Sequence, residues 1–157
     1  MAKTRQQPLI LSQYLPYQLV NLAKRVSDAC NREYGAPFDI SIAQWRILAR
    51  LGQHEDLSSR GLGEITFMDK SKVSRALQQL EASGYLARRP DPQDNRASFL
   101  SLTAEGKALY RRIVPLALAW EAGFQDALTQ REQRDLRRIL GKLEQRISDI
   151  EGDGDDD

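Results

Sequence analysis

Apolar residues recur every three or four positions along most of this chain, and this spacing predicts a series of amphipathic helices. The first is predicted over residues 12–34, before the breaker sequence Gly35-Ala36-Pro37. Its apolar stripe consists of Leu15, Leu19, Leu22, Val26, Ala29 and Cys30. A second helix is predicted from the capping sequence Ser41-Ile42-Ala43-Gln44 to Gly52. Its expected inner face is Ile42, Trp45, Leu48 and Leu51.

The stretch that begins at Asp69 and ends at Ser83-Gly84 is predicted to be a helix whose two sides differ sharply in polarity. Asp69 is the expected N-cap and Ser83-Gly84 is the stop signal. Val73, Leu77 and Leu80 form one apolar side. The other side carries hydroxyls, amides and cations, which are groups that can donate to phosphates and base edges. These residues are Lys70, Ser71, Lys72, Ser74, Arg75, Gln78 and Gln79.

A short helix precedes this stretch and a β-ribbon follows it. Ser58 or Ser59 is the expected cap of the short helix, whose apolar positions are Leu62 and Ile65. The ribbon strands are predicted over residues 85–89 and 97–102, because the intervening PDPQDN cannot continue a central strand. Two helices with a tight connection, followed by a ribbon, outline a winged helix-turn-helix at about residues 41–104. The predicted fold class is mainly α with a small β-ribbon (α+β).

Two further amphipathic helices are predicted over residues 105–150. Thr103 is the expected cap of the first, and Pro115 removes a backbone donor inside it, so we expect a kink or a break there. The second opens at the capping sequence Thr129-Gln130-Arg131-Glu132. Together with the helix at 12–34, these helices have more apolar surface than so small a lobe can cover. We therefore expect a helical dimerisation platform shared with a second copy.

The charge distribution is compatible with a polyanionic partner. The formal net charge is +1, but the last seven residues, EGDGDDD, hold five acids and no bases, so residues 1–150 carry +6. We expect residues 151–157 to be a disordered acidic tail. The 157 residues are expected to form one domain.

Several classes of function are disfavoured. The sequence has no run of about 18 apolar residues, so no membrane span is expected. The single cysteine, Cys30, rules out an internal disulfide and suits a reducing cytoplasm. The only histidine, His54, lies in a polar stretch, and the sequence has no nucleophile-elbow or phosphate-loop motif. We therefore expect no enzyme activity, metal site or cofactor.

The chain resembles the MarR family of bacterial transcriptional regulators over about residues 12–148. The resemblance rests on ISIAQWRIL and on DKSKVSRALQQLEASGYLARRPDPQDNRASFLSLTAEG. Its most specific part is the ribbon tip, where Asp94 and Arg96 match D-x-R ahead of an L-T-x-x-G sequence. The family implies an obligate homodimer with one recognition helix of each subunit in a major groove. It also implies that Arg96 reaches the adjacent minor groove, oriented by Asp94; many members have a second arginine where this chain has Asn95.

The predicted DNA contacts combine the polar side of the helix at 69–83 with residues of the ribbon and the short helix. They are Ser58, Lys70, Ser71, Lys72, Ser74, Arg75, Gln78, Arg88, Asp94 and Arg96. Arg88 and Arg89 are adjacent on one strand, where side chains alternate between faces, so only one of them is expected to face DNA. The alternative is that these charges form an ordinary solvated surface.

The resemblance also implies a small-molecule effector, because family members often bind aromatic or phenolic acids between the platform and the DNA-binding lobe. The candidate effector residues are Tyr14, Tyr17, Arg25, Trp45 and Arg46. An arginine among aromatic rings can pair with a carboxylate. The alternative is that these are core and surface residues, and a core position is favoured for Trp45.

The sequence therefore predicts a homodimeric repressor that binds double-stranded DNA and is released from a pseudo-palindromic operator by a small aromatic effector. One alternative is a redox-responsive regulator acting through Cys30. The position of Cys30 in the apolar stripe, towards the end of the first helix, instead favours a buried, inert thiol. A second alternative is a winged-helix protein-interaction module that does not bind DNA and shows little salt dependence.

Overall fold

The computed structural model describes residues 8–54, 57–58, 61–62, 66, 68–90 and 98–152. Its α-helices and strands are α1 (Leu15–Cys30), α2 (Ile42–Gln53), β1 (Leu57–Ser58), α3 (Lys70–Ala82), β2 (Leu86–Pro90), β3 (Ser98–Leu102), α4 (Ala104–Gln125) and α5 (Gln130–Gly152). A π-helical turn at Asn31–Gly35 continues α1 up to the predicted stop. The predicted fold class, mainly α with a small β-sheet, is confirmed. None of the described helices combines the length and apolarity that crossing a membrane requires.

The chain divides into two compact units, Met1–Ala117 and Leu118–Asp157. The boundary lies inside α4, close to Pro115. Helix α4 continues through Pro115 to Gln125, so the proline does not break it. The first unit holds α1 to β3 and the start of α4, and the second holds the rest of α4 and α5.

The core of the first unit brings together side chains from α2, α3, β3 and α4. Its largest fully buried side chains are Ile47, Leu48, Leu62, Leu80, Leu100 and Ile113. Burying a side chain of this size stabilises the fold by roughly 2 kcal/mol. Helix α3 buries Val73, Leu77 and Leu80, as its periodicity predicts. These contacts fix which side of α3 faces outwards.

The predicted inner face of α2 is partly wrong. The capping box is confirmed: Ser41 accepts a hydrogen bond from the Gln44 backbone, and the Gln44 side chain accepts one from the Ser41 backbone. The buried residues, however, are Gln44, Ile47, Leu48 and Leu51, while Ile42 and Trp45 are only half-buried. Gly52 does not close the helix, which runs to Gln53. A Cβ at Gly52 would lie 2.7 Å from the ring of Tyr110, so the glycine is needed for packing.

The described strands form an antiparallel sheet of order β1-β3-β2, one strand more than the predicted ribbon. Leu57 pairs with Leu100, and Leu86 pairs with Leu102. Strand β2 begins one residue later than predicted, because the N–H of Tyr85 donates to the carbonyl of Leu80 at the end of α3.

The end of α3 is bonded to the start of α4. Gly84 has a φ of +74°, and its N–H donates to the Glu81 carbonyl, which closes α3 with a Schellman motif. The Thr103 hydroxyl donates to the Gly84 carbonyl at 2.7 Å and accepts from the Gly106 N–H at 3.0 Å. The Thr103 N–H donates to the Tyr85 carbonyl at 3.2 Å. The predicted Thr103 cap is therefore confirmed, and it also connects two helices.

Gly106→Ala is expected to destabilise the protein by about 3 kcal/mol. A Cβ at this position would collide with the backbone carbonyl of Tyr85, which is itself held by Thr103. Urea unfolding measures the change. Gly123→Ala is the matched control, since nothing lies within 4 Å of a Cβ there, and it is expected to stabilise α4 by about 0.5–1 kcal/mol. Equal effects of the two substitutions would show that the close approach at Gly106 is unimportant.

Helix α5, in the second unit, has exposed apolar side chains. The predicted capping box that opens α5 is confirmed, because Thr129 and Glu132 exchange backbone-to-side-chain hydrogen bonds. None of the residues of α5 is buried, including the apolar ones. The exposed apolar residues of α5 are Leu136, Ile139, Leu140, Ile147 and Ile150. The helix includes Glu151 and Gly152, which the sequence assigns to the tail; residues 153–157 lie outside the described part of the chain.

Candidate nucleic-acid interface

The polar side of α3 faces outwards. Lys70, Ser71, Ser74, Arg75 and Gln78 are all exposed. Positions 71, 74, 75 and 78 follow the spacing of one helical face, so their side chains lie together. The apolar residues on the opposite side hold α3 against the core. Helix α3 therefore presents two cations, two hydroxyls and an amide to solvent.

Asp69 organises the N-terminal turn of this face. Its carboxylate accepts hydrogen bonds from the Lys72 N–H at 2.8 Å and from the Ser71 hydroxyl at 2.6 Å. It also forms an ion pair of 3.3 Å with the Lys72 ammonium. The predicted N-cap is confirmed. The carboxylate additionally fixes the positions of two predicted DNA contacts, a role that sequence reasoning missed.

The pKa of Asp69 reports on this arrangement. The hydrogen bond from Ser71, followed by that from the Lys72 backbone, lowers the pKa from 3.8 to about 2. Because the pKa is lower in the folded state, the contribution to stability is complete above pH 3.8 and is lost as the pH falls towards 2.

We expect the carboxyl carbon of Asp69 to titrate near pH 2 by NMR in the wild-type protein. In Ser71→Ala its midpoint is expected to move up towards 3.8, because the largest cause of the shift is removed. A midpoint that does not move would show that the hydroxyl does not stabilise the carboxylate.

Arg88 and Arg89 lie on opposite faces of β2. Arg88 shares a face with the buried Leu86, and its guanidinium bonds Glu81 of α3 at 2.8 Å and the Ser98 hydroxyl at 2.9 Å. Arg89 lies on the other face, with its guanidinium 5.5 Å from the ring centre of Phe99. DNA contact by Arg88 stays a prediction, but here Arg88 is bound to protein groups.

Of the remaining predicted DNA contacts, only Ser58 lies in the described part of the chain. Ser58 lies in β1, and its hydroxyl accepts from the Gly61 N–H at 3.1 Å, which is the type of bond that an N-cap makes. Gly61, Leu62 and Thr66 are helical in the described part of this segment. Asp94 and Arg96 lie outside the described residues, so the predicted ribbon tip stays a prediction.

The predicted effector residues are distributed over exposed and half-buried positions. Tyr14, Tyr17, Arg25 and Arg46 are exposed. Trp45 is half-buried; its ring centre lies 5.7 Å from that of Tyr34, edge-on, and 6.1 Å from that of Tyr110, stacked. Sequence reasoning selected neither tyrosine, since both contacts depend on tertiary packing.

Cys30 is buried, with 9% of its surface exposed, as its place in the apolar stripe predicts. It lies beside Tyr34. Burial raises the pKa of the Tyr34 hydroxyl far above its ordinary value, and a hydrogen bond with the Cys30 thiol raises it further. Tyr34 is therefore neutral at physiological pH. In the part of the chain that the structure describes, no three His, Cys, Asp or Glu side chains are grouped to hold a metal.

The structure combines a helix that has an outward cationic face with an antiparallel sheet. This is the arrangement of winged helix-turn-helix DNA-binding proteins. A sequence model of the MarR family matches residues 38–97. A curated relative from Bacillus cereus, known as an HTH-type transcriptional regulator, is 30% identical over 118 residues, which span 74% of this chain and 78% of the relative. The chain belongs to the MarR family of transcriptional regulators.

Solved structures share this fold. A mutant of MarR from E. coli, complexed with operator DNA, gives a TM-score of 0.77 at 24% identity, over 87% of this chain and 99% of that chain. BpsR of Bordetella bronchiseptica, whose DNA binding is regulated by 6-hydroxynicotinic acid, gives a TM-score of 0.79 at 23% identity, over 88% and 98% of the two chains. Both of these solved proteins bind DNA.

Proposed function

We propose that this protein is a homodimeric repressor that binds a pseudo-palindromic operator and leaves it when a small aromatic effector binds. The observation that supports the proposal most strongly is the outward polar face of α3. Its cations match the charge of the phosphate backbone, and its hydroxyls and amide match base edges. The E. coli relative was solved on operator DNA, which supports the same partner here. Such a regulator acts in the cytoplasm, where its DNA is.

The exposed apolar helices support the homodimer. Leu15, Leu19 and Leu22 of α1 are exposed. Every apolar residue of α5 is either exposed or half-buried. Stripes of this length are unfavourable in water unless another surface covers them. A second copy supplies matching stripes. In such a dimer the two α3 helices would lie about one DNA turn apart, roughly 34 Å, and read two half-sites.

Aromatic and cationic side chains of α2 and α4 support an aromatic effector. Trp45 and Tyr110 provide aromatic surface, and Arg46 provides a cation on the same helix as Trp45. These groups suit an aromatic carboxylate. BpsR responds to a hydroxylated aromatic acid, which supports the same class of ligand here. Release follows if the effector binds more tightly to a dimer whose α3 spacing does not fit DNA.

Selection of bound sequences from a pool of random duplexes tests the proposal. We expect enrichment of a pseudo-palindrome whose half-sites are about ten base pairs apart. Binding should weaken steeply with salt, because each neutralised phosphate releases counterions. Failure to enrich any duplex, with salt-independent behaviour, would favour the protein-interaction module instead.

Repeating the binding measurement with a panel of aromatic acids and with peroxide separates the two modes of regulation. An aromatic acid is expected to release the duplex. The burial of Cys30 argues against an oxidant, since reactive thiols are usually accessible. Release by peroxide and by none of the acids would replace the proposed effector with the redox alternative.

A further inference from the structure

Arg88 connects strand β2 to helix α3. Arg88 is on β2, and its Nε donates to Glu81 Oε1 of α3 at 2.8 Å, while a terminal nitrogen lies 3.4 Å from Glu81 Oε2. The other terminal nitrogen donates to the Ser98 hydroxyl of β3 at 2.9 Å. All three guanidinium nitrogens of Arg88 are therefore bonded, and they join three elements.

Strand register and helix length place these groups together. Arg88 pairs with Leu100 and Pro90 with Ser98, so Arg88 and Ser98 are diagonal neighbours on the core-facing side of the sheet. Glu81 lies in the last turn of α3, one turn beyond Gln78. The side chains of Arg88 and Glu81 are 41% and 29% exposed, so the pair is partly open to water. A planar fork on a carboxylate restricts orientation more than a single contact does.

We propose that Glu81 and Arg88 are positioning residues, which set the angle between α3, the proposed recognition helix, and the ribbon of strands β2 and β3, here called the wing. The proposal rests on the DNA-binding function proposed above. Arg88 stands two residues before Pro90, the last residue of β2. A fixed angle lets both elements reach the duplex without an additional loss of conformational freedom on binding. A partly exposed pair adds little to global stability, so its main effect is on binding.

The competing role for Arg88 is direct contact with a phosphate, as the sequence predicts. The two roles give opposite signs for Glu81→Gln. If Arg88 contacts phosphate, removing the carboxylate frees the guanidinium and removes a negative charge near the DNA, so affinity rises. If Glu81 and Arg88 position the wing, the same substitution weakens binding.

The test uses the full-length protein and a duplex selected from a random pool. Dissociation constants are measured over a range of salt concentrations for Glu81→Gln, Arg88→Gln, Arg88→Lys and the double variant Glu81→Gln/Arg88→Gln. Glu105→Gln is the matched control, because it removes an exposed carboxylate from the first turn of α4. Thermal unfolding checks each fold, and hydroxyl-radical footprinting locates the protected minor grooves.

We expect Glu81→Gln and Arg88→Gln each to weaken binding about tenfold, and the double variant to weaken it no further, as for two residues that act as a unit. The salt slope should not change, because no phosphate contact is lost. Arg88→Lys should recover part of the affinity. Protection of the minor groove by the wing should decrease, while the unfolding midpoint and the affinity of Glu105→Gln stay close to wild type.

Unchanged or tighter binding by Glu81→Gln would overturn the inference. So would a salt slope that falls by about one unit in Arg88→Gln alone, since that is the signature of a lost phosphate contact. If the wild-type protein enriches no duplex, the proposed function itself fails, and this inference fails with it. The first two outcomes, in contrast, leave DNA binding in place.

Discussion

Arg75→Ala is expected to weaken binding to the selected duplex by about tenfold or more, with no loss of stability. Arg75 is exposed at the centre of the polar face of α3, and its neighbours Ala76 and Leu77 are anchored in the core. A guanidinium held this way can fork onto a guanine edge or a phosphate. Fluorescence anisotropy at fixed salt measures the loss, and urea unfolding verifies the fold.

Arg111→Ala is the control for this substitution. It removes an equally charged, exposed side chain from a different helix, α4. A general loss of positive charge would weaken binding similarly in both variants. A selective loss in Arg75→Ala would identify a direct contact. If Arg75→Ala binds as the wild type does, the outward face of α3 is not the DNA-binding surface.

Ile139→Glu is expected to separate the dimer and to weaken operator binding by at least about a hundredfold, because the second half-site is then lost. Ile139 is 45% exposed on α5, a helix with an apolar stripe and no buried residue. A carboxylate in the centre of a covered apolar interface is costly to desolvate. Sedimentation should change from the mass of two chains to that of one.

Gln145→Glu serves as the matched control on the same helix. Gln145 is exposed and hydrogen-bonded to Asp149, on the polar side of α5. The substitution therefore adds the same negative charge as Ile139→Glu, but outside the apolar stripe. We expect it to sediment as the wild type does. If Ile139→Glu remains dimeric, the α5 stripe is not the contact surface between copies. A monomeric wild type would rule out the dimer altogether.

Local signals allowed most helices to be predicted from the sequence. The capping boxes at Ser41 and Thr129 and the N-cap at Asp69 depend on residues three positions apart, so a pattern reveals them. The outward polar face of α3 followed from the periodicity of its apolar residues.

Contacts between distant parts of the chain could not be predicted in this way. Strand β1 has only two residues, and only its pairing with β3 identifies it as a strand. The bond from Arg88 to Glu81 depends on the direction in which β2 leaves α3, which periodicity does not specify. Gly52 looks like a helix stop in the sequence, yet the ring of Tyr110 explains it. These features reflect packing rather than local propensity.

The bonds of Thr103 to Gly84 and Tyr85 have a consequence for how a signal would reach DNA. They join the first turn of α4 to the last turn of α3, where Gly106 leaves no room for a side chain. These contacts hold the two turns together. In the proposed dimer, a change in the tilt of α4 in each subunit would move the α3 helix that is bonded to it. The distance between the two α3 helices would therefore depend on the tilt of α4.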